Sequence, residues 1–180
     1  MSQSDYYRGL ESAQRAIAAT TSSDPAALAT GVHATVDALL AALPHRHLAA
    51  CDRGCSHCCH LPVGVTFAEA RALGAALGSR PGLMQAVLAA ARSSAGLDWD
   101  ALAGLPCPLL RDGSCALYEV RPVPCRALSS LDADACAAAL HRPVSVPVDD
   151  RAYVLGLGAA AALGDSMAPT GTRELRSALL

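Results

Sequence analysis

Eight cysteines in two groups constrain this chain more tightly than any other feature of it. The first group is Cys51-x3-Cys55-x2-Cys58-Cys59, and the second is Cys107, Cys115, Cys125 and Cys136. Thiolates are soft ligands that suit zinc, copper(I) and iron–sulfur clusters, and closely spaced cysteines in a loop can close on one ion. Eight sulfurs are enough for two four-coordinate sites. Adjacent side chains diverge, so Cys58 and Cys59 are expected to serve two neighbouring metals, or one ligates while the other packs or bridges. Two plainer readings compete. Buried cysteine is also a small hydrophobe, a reading that weighs most on Cys136 among its alanines. A redox relay through the vicinal pair would exchange disulfides instead of holding metal.

The 180 residues suit one domain, or one domain with a helical extension. Hydrophobic residues make up 52%, yet 39 are alanine, against one Phe, one Trp, one Ile and four Tyr. Alanine is the best helix former and adds little volume, so the expected fold is mainly α: a small helical domain with short hairpin or irregular cysteine-bearing loops around a metal site. Helices are expected from Asp5 to Thr20, from Asp24-Pro25 to Pro44, from the capping box Thr66…Glu69 to Gly78, and from Gly82 to Ser94. Asp98 and Asp132 read as caps of short helices, and Asp149 or Asp150 opens one through Leu163. Asp112-Gly113 suits a tight hairpin turn. Val144, Val146 and Val148 alternate as an edge strand beside Pro143 and Pro147, and Thr172 to Leu180 reads as a terminal helix. This divides the chain into an N-terminal helical segment (1–47), a cysteine-cluster core (48–148) and C-terminal helices packing on that core (149–180).

Composition also excludes chemistry. All 14 basic residues are Arg, which rules out a Schiff-base or P-loop lysine. A net charge of −2 argues against nucleic acid as the main partner. The first residues lack the apolar stretch of a secretory signal, and the run Val154 to Gly164 is too short to span a bilayer. The expected setting is cytoplasmic and away from the membrane, where thiols stay reduced.

Cys51-x3-Cys55-x2-Cys58 is also the spacing by which radical S-adenosylmethionine enzymes hold a cluster, but the chain lacks the length and strand series of their partial barrel. An iron–sulfur cluster remains open. The histidines add little: His57 reads as a loop residue, His60 as a donor behind the ligands, and His33 as a surface or half-buried helix residue.

Together, Cys51, Cys55, Cys58, Cys59, the run Cys107-Pro-Leu-Leu-Arg-Asp-Gly-Ser-Cys115, the run Tyr118-Glu-Val-Arg121-Pro122-Val-Pro-Cys125-Arg126 and Cys136 resemble the YkgJ-type cysteine-cluster family of zinc- or iron-chelating proteins. The likeness spans roughly residues 51 to 136 and implies a metal site, with zinc as the first expectation and iron or an iron–sulfur cluster as the alternative. Arg121 and Arg126 could then offset thiolate charge, with Arg53 a third candidate, while Tyr118 reads as a packing aromatic. Three functions follow: a metal-binding protein for storage, delivery or structure; a cluster-dependent transferase or redox protein, since flagellin lysine methylases carry a related pattern; or an interaction module for a protein partner with structural metals. No catalytic constellation is visible in the sequence.

Overall fold

The alanine-rich stretches form the expected helices, and the computed structural model describes residues 3–167 and 171–180. Helix α1 (Gln3–Ala19) precedes α2 (Pro25–Ala41), which Asp24 caps by accepting from the Ala26 amide at 3.2 Å. Leu28, Val32, Val36 and Leu40 form the buried stripe of α2, whereas Leu39 is only partly buried. Strand β1 (Gly64–Thr66) runs into α3 (Phe67–Gly78), followed by α4 (Pro81–Ser93) and the single turn α5 (Trp99–Leu102). Strands β2 (Leu110–Arg111) and β3 (Ser114–Cys115) pair across Asp112 and Gly113, whose φ angles of 48° and 72° are those of the primed hairpin turn. Short helices α6 (Val123–Ala127) and α7 (Ala133–Ala139) lead to α8 (Asp150–Asp165), where Asp149 is the cap, accepting from Ala152 at 3.1 Å. The fold is mainly α.

Two expectations are corrected. The terminal segment is not one helix: Thr172–Glu174 forms β4, antiparallel to β1, and only Leu175–Ala178 continues as α9. The exposed edge of β1 supplies the pairing that a short isolated helix cannot offer. The edge strand around Val144–Val148 shrinks to one bridge between Ser130 and Val148, because Pro143 and Pro147 lack the amides that a longer ladder needs.

Two apolar cores share α3. One gathers Ala13, Leu28, Val32, Val36, Ala68, Ala72, Val123, Leu155 and Ala159; the other gathers Val65, Leu73, Leu77, Val87, Leu109, Leu117 and Leu175. Small residues let the helices of the first core approach closely. A Cβ on Gly9 would stand 2.0 Å from the Leu155 carbonyl oxygen, and one on Gly158 would stand 2.0 Å from that of Tyr6. Backbone thus meets backbone between α1 and α8, and Arg151 fixes the register by donating Nε and Nη2 to buried Asp5 at 3.0 and 3.2 Å.

Gly158→Ala should therefore force the helices apart and lower unfolding stability by about 2–3 kcal/mol. Gly74→Ala, in open space on α3, should raise it by about 0.5–1 kcal/mol through helix propensity. Urea unfolding of both variants checks the pair; equal effects would contradict the close crossing.

Candidate metal centre

The first cysteine loop turns at Gly54, whose φ of 98° suits glycine, while the Cys55 amide donates to the Asp52 carbonyl at 3.0 Å. Cys51 is tied to the loop before α7: the Ala50 amide donates to the Ser130 carbonyl at 2.8 Å, and the Ser130 amide donates to the Cys51 sulfur at 3.2 Å. Cys58 and Cys59 then lie on a 3₁₀ turn, His57–His60. Two backbone bonds dock the second cysteine segment on that turn: Cys107 N–H to the Cys59 carbonyl at 2.7 Å, and Gly104 N–H to the His60 carbonyl at 2.8 Å. The hairpin carries Cys115, α6 carries Cys125 and α7 carries Cys136.

These placements bring distant cysteines together. Cys51 lies within electrostatic reach of Cys55, Cys58 and Cys136. Cys59 feels Cys58, Cys107 and Cys125, and Cys125 feels Cys107, Cys58 and Cys115. Cys58 is the member common to both neighbourhoods. All eight are free thiols, and all are half-buried. Among the described residues, no three His, Cys, Asp or Glu side chains are already grouped around an ion position. The thiols are neighbours, not a finished cage.

Burial pushes the Cys51, Cys107, Cys115 and Cys125 thiols up, because a lone thiolate is costly away from water. The vicinal pair splits. A hydrogen bond from Cys59 holds Cys58 down at about 7, with Arg121 assisting, while that bond, burial and the neighbouring sulfurs push Cys59 up. The donor set fits a soft cation. It offers eight thiols whose joint deprotonation needs positive charge among them.

The arginines divide. Arg121 stacks its guanidinium 3.9 Å from the Tyr118 ring centre, helps to lower Cys58, offsets part of the burial that pushes Cys115 up, and keeps a buried Nε with no hydrogen-bond acceptor. Arg53 stacks on the same ring at 4.4 Å and pairs with Glu119, so Tyr118 ties the first cysteine loop to the second. Arg126 turns elsewhere: it donates Nε to the Arg121 carbonyl at 2.7 Å, Nη2 to the Glu119 carbonyl, and Nη1 to Asp37 on α2. These three bonds shape the turn before α6 and aim the guanidinium at oxygen acceptors. His60 points Nδ1 at the His57 carbonyl, 3.3 Å away.

Two residues escape sequence reasoning. Arg176, 3% exposed, donates to the Leu105 and Pro106 carbonyls at 3.1 and 3.0 Å, and its charge offsets part of the burial that pushes Cys107 up. It stands far along the chain from Cys107, and nothing in its local sequence marks it. Glu69 is legible as a capping-box residue, but its wider role is not. Its Oε2 accepts from the Thr66 amide and hydroxyl at 2.8 and 2.9 Å, and its Oε1 accepts from the Val123 amide at 2.7 Å. His33, read as a surface or half-buried residue, is in fact buried, with Nε2 3.5 Å from Glu69 Oε1. The Val123 bond fixes the start of α6 and hence the position of Cys125.

Two cavities meet at the cysteine turn. One of about 180 Å³ is lined by Cys51, Cys55, Cys58 and Cys136, and one of about 620 Å³ by Cys58 and Cys125; both also touch Leu61, Leu128 and Val148.

A small helical domain that gathers free thiols from four chain segments around one 3₁₀ turn is a cysteine-cluster protein. Residues 50–142 match the CxxCxxCC family, described as "Putative zinc- or iron-chelating domain", and with more than half its length matched the chain belongs to that family, the YkgJ type that its sequence resembles. No curated protein and no solved structure matches the chain. Among the described residues, no helix is long and apolar enough to cross a membrane.

Burial pushes the Glu69 carboxyl up, but the His33 ring and the Thr66 and Val123 amides outweigh it and hold the group below its usual value. The unfolded chain therefore binds this proton more readily than the folded one. The resulting stability is complete above the ordinary value of 4.5 and is lost as pH falls through the lower folded pKa. Glu69→Gln should cost about 2–3 kcal/mol at neutral pH and flatten this acid limb. Urea unfolding across a pH series measures both effects; an unchanged acid limb would contradict the assignment.

Proposed function

We propose that the eight cysteines bind two zinc ions, for storage or delivery. Cys51, Cys55, Cys58 and Cys136 would hold one, and Cys59, Cys107, Cys115 and Cys125 the other. The observation that carries this reading is the convergence of eight free thiols on the turn bearing Cys58 and Cys59, in a chain of a zinc- or iron-chelating family. Zinc supplies positive charge and tetrahedral preference without redox chemistry; iron suits the same thiolates. The residues of 48–148 would be the metal-binding core, with α1, α2 and α8 as its support. Half-buried thiols beside open cavities favour exchangeable ions over a sealed structural site. Thiols in this number fit a reducing cytoplasmic compartment.

Eight thiolates on two divalent ions leave about four negative charges. Arg121, with its unpartnered Nε, would donate to sulfur, and Arg176 would offset charge at Cys107. Arg126 would act by holding the Glu119–Arg121 turn in place.

Elemental analysis of anaerobically purified protein, with its absorption spectrum, should find two zinc ions per chain and no visible charge-transfer band. Replacing Cys55 and Cys58 together with Ser should release metal and loosen the fold. Metal content unchanged in the double variant would sink the proposal. Arg121→Ala should weaken zinc retention against a competing chelator by about tenfold, while Arg126→Ala should mainly lower thermal stability. Equal retention in Arg121→Ala and the parent protein would remove Arg121 from the site.

A further inference from the structure

The larger cavity, about 620 Å³, has the size of a small-molecule site and opens between the cysteine turn and α8. Its walls are mainly apolar, with Leu61, Pro62, Val63, Leu157 and Ala160 among them. Two aromatic side chains join that lining while remaining partly open to solvent, Trp99 at 49% and Tyr153 at 39%. The Trp99 ring packs beside Gly64, 3.6 Å from where a Cβ would stand, an ordinary van der Waals distance.

The charge of the lining is one-sided. It includes the carboxylates of Glu69 and Asp150 and no arginine or histidine. Glu69 is buried and fully engaged, so it contributes potential and not a contact. Asp150 is exposed and has no ion-pair partner among the described residues.

We propose that this cleft binds a small organic amine: an apolar or aromatic body carrying one protonated amino group. The body fits the aliphatic walls, and the ammonium gains from the negative faces of Trp99 and Tyr153 and from Asp150. Carboxylates and phosphates meet like charge there and find no donor cation. The inference rests on the walls of the cleft and does not depend on the metal assignment.

Trp99 is the sole tryptophan, so its emission reports the cleft directly. The purified 180-residue chain is titrated with phenylbutylamine and, as matched neutral and anionic probes, with phenylbutanol and phenylbutyrate. The amine should give a saturable change in emission, and both other probes should bind more weakly by about tenfold or more. Asp150→Asn should weaken the amine by about tenfold and leave the alcohol unaffected. Leu157→Arg, at a partly exposed wall position, should abolish amine binding and favour the butyrate; circular dichroism confirms that both variants are folded. Three outcomes would overturn the proposal: no saturable amine response, butyrate binding as tightly as the amine, or amine binding unchanged in Asp150→Asn. Elemental analysis of the same samples reports the zinc reading separately.

Discussion

Glu69 is the point at which the helical scaffold and the cysteine loops are joined. A carboxylate with no solvent access is tolerated only if its oxygens are satisfied, since an isolated buried charge costs several kcal/mol or more. Here the carboxylate accepts from the Thr66 amide and hydroxyl at the start of α3 and from the Val123 amide at the start of α6, and His33 approaches from α2. Three helices therefore take their relative positions from one side chain. Cys125 and Arg126 ride on α6, so the place of one thiol and of the clamp behind it follows from the same carboxylate.

The scaffold has to be this exacting because its core offers little bulk. With 39 alanines and few aromatics, burial per residue is small, and stability comes from short helix–helix distances such as the crossing of α1 and α8 at Gly9 and Gly158. The cysteine segments have still less support. They are held by single backbone bonds, by the Arg53–Tyr118–Arg121 stack and by short helices. Loops of this kind gain order from a bound ion, and a helical base that positions them beforehand reduces the ordering that the ion must supply.

Much of this was legible in the sequence, and the parts that were not share one cause. Asp24, Asp98, Asp132 and Asp149 acted as caps because capping is local: oxygen and amide lie two or three residues apart. The Asp112-Gly113 turn and the helical stripe of α2 were visible for the same reason. The β1–β4 pair, the burial of His33, the Arg176 contacts near Cys107 and the reach of Glu69 to Val123 join segments far apart, and no periodicity records them. Arg126 shows the hazard of proximity in sequence. It adjoins Cys125, yet its guanidinium serves carbonyls and Asp37, while Arg121, less close in sequence to that cysteine, is the arginine whose charge acts on Cys58 and Cys115.

The central claim is that the free thiols form the ligand shell of a soft metal. X-ray absorption at the zinc edge of the purified protein tests this most directly. The account predicts a shell of four sulfurs at about 2.3 Å from each zinc, with no nitrogen or oxygen ligand. A shell dominated by nitrogen or oxygen, or protein free of metal after anaerobic purification, would contradict it.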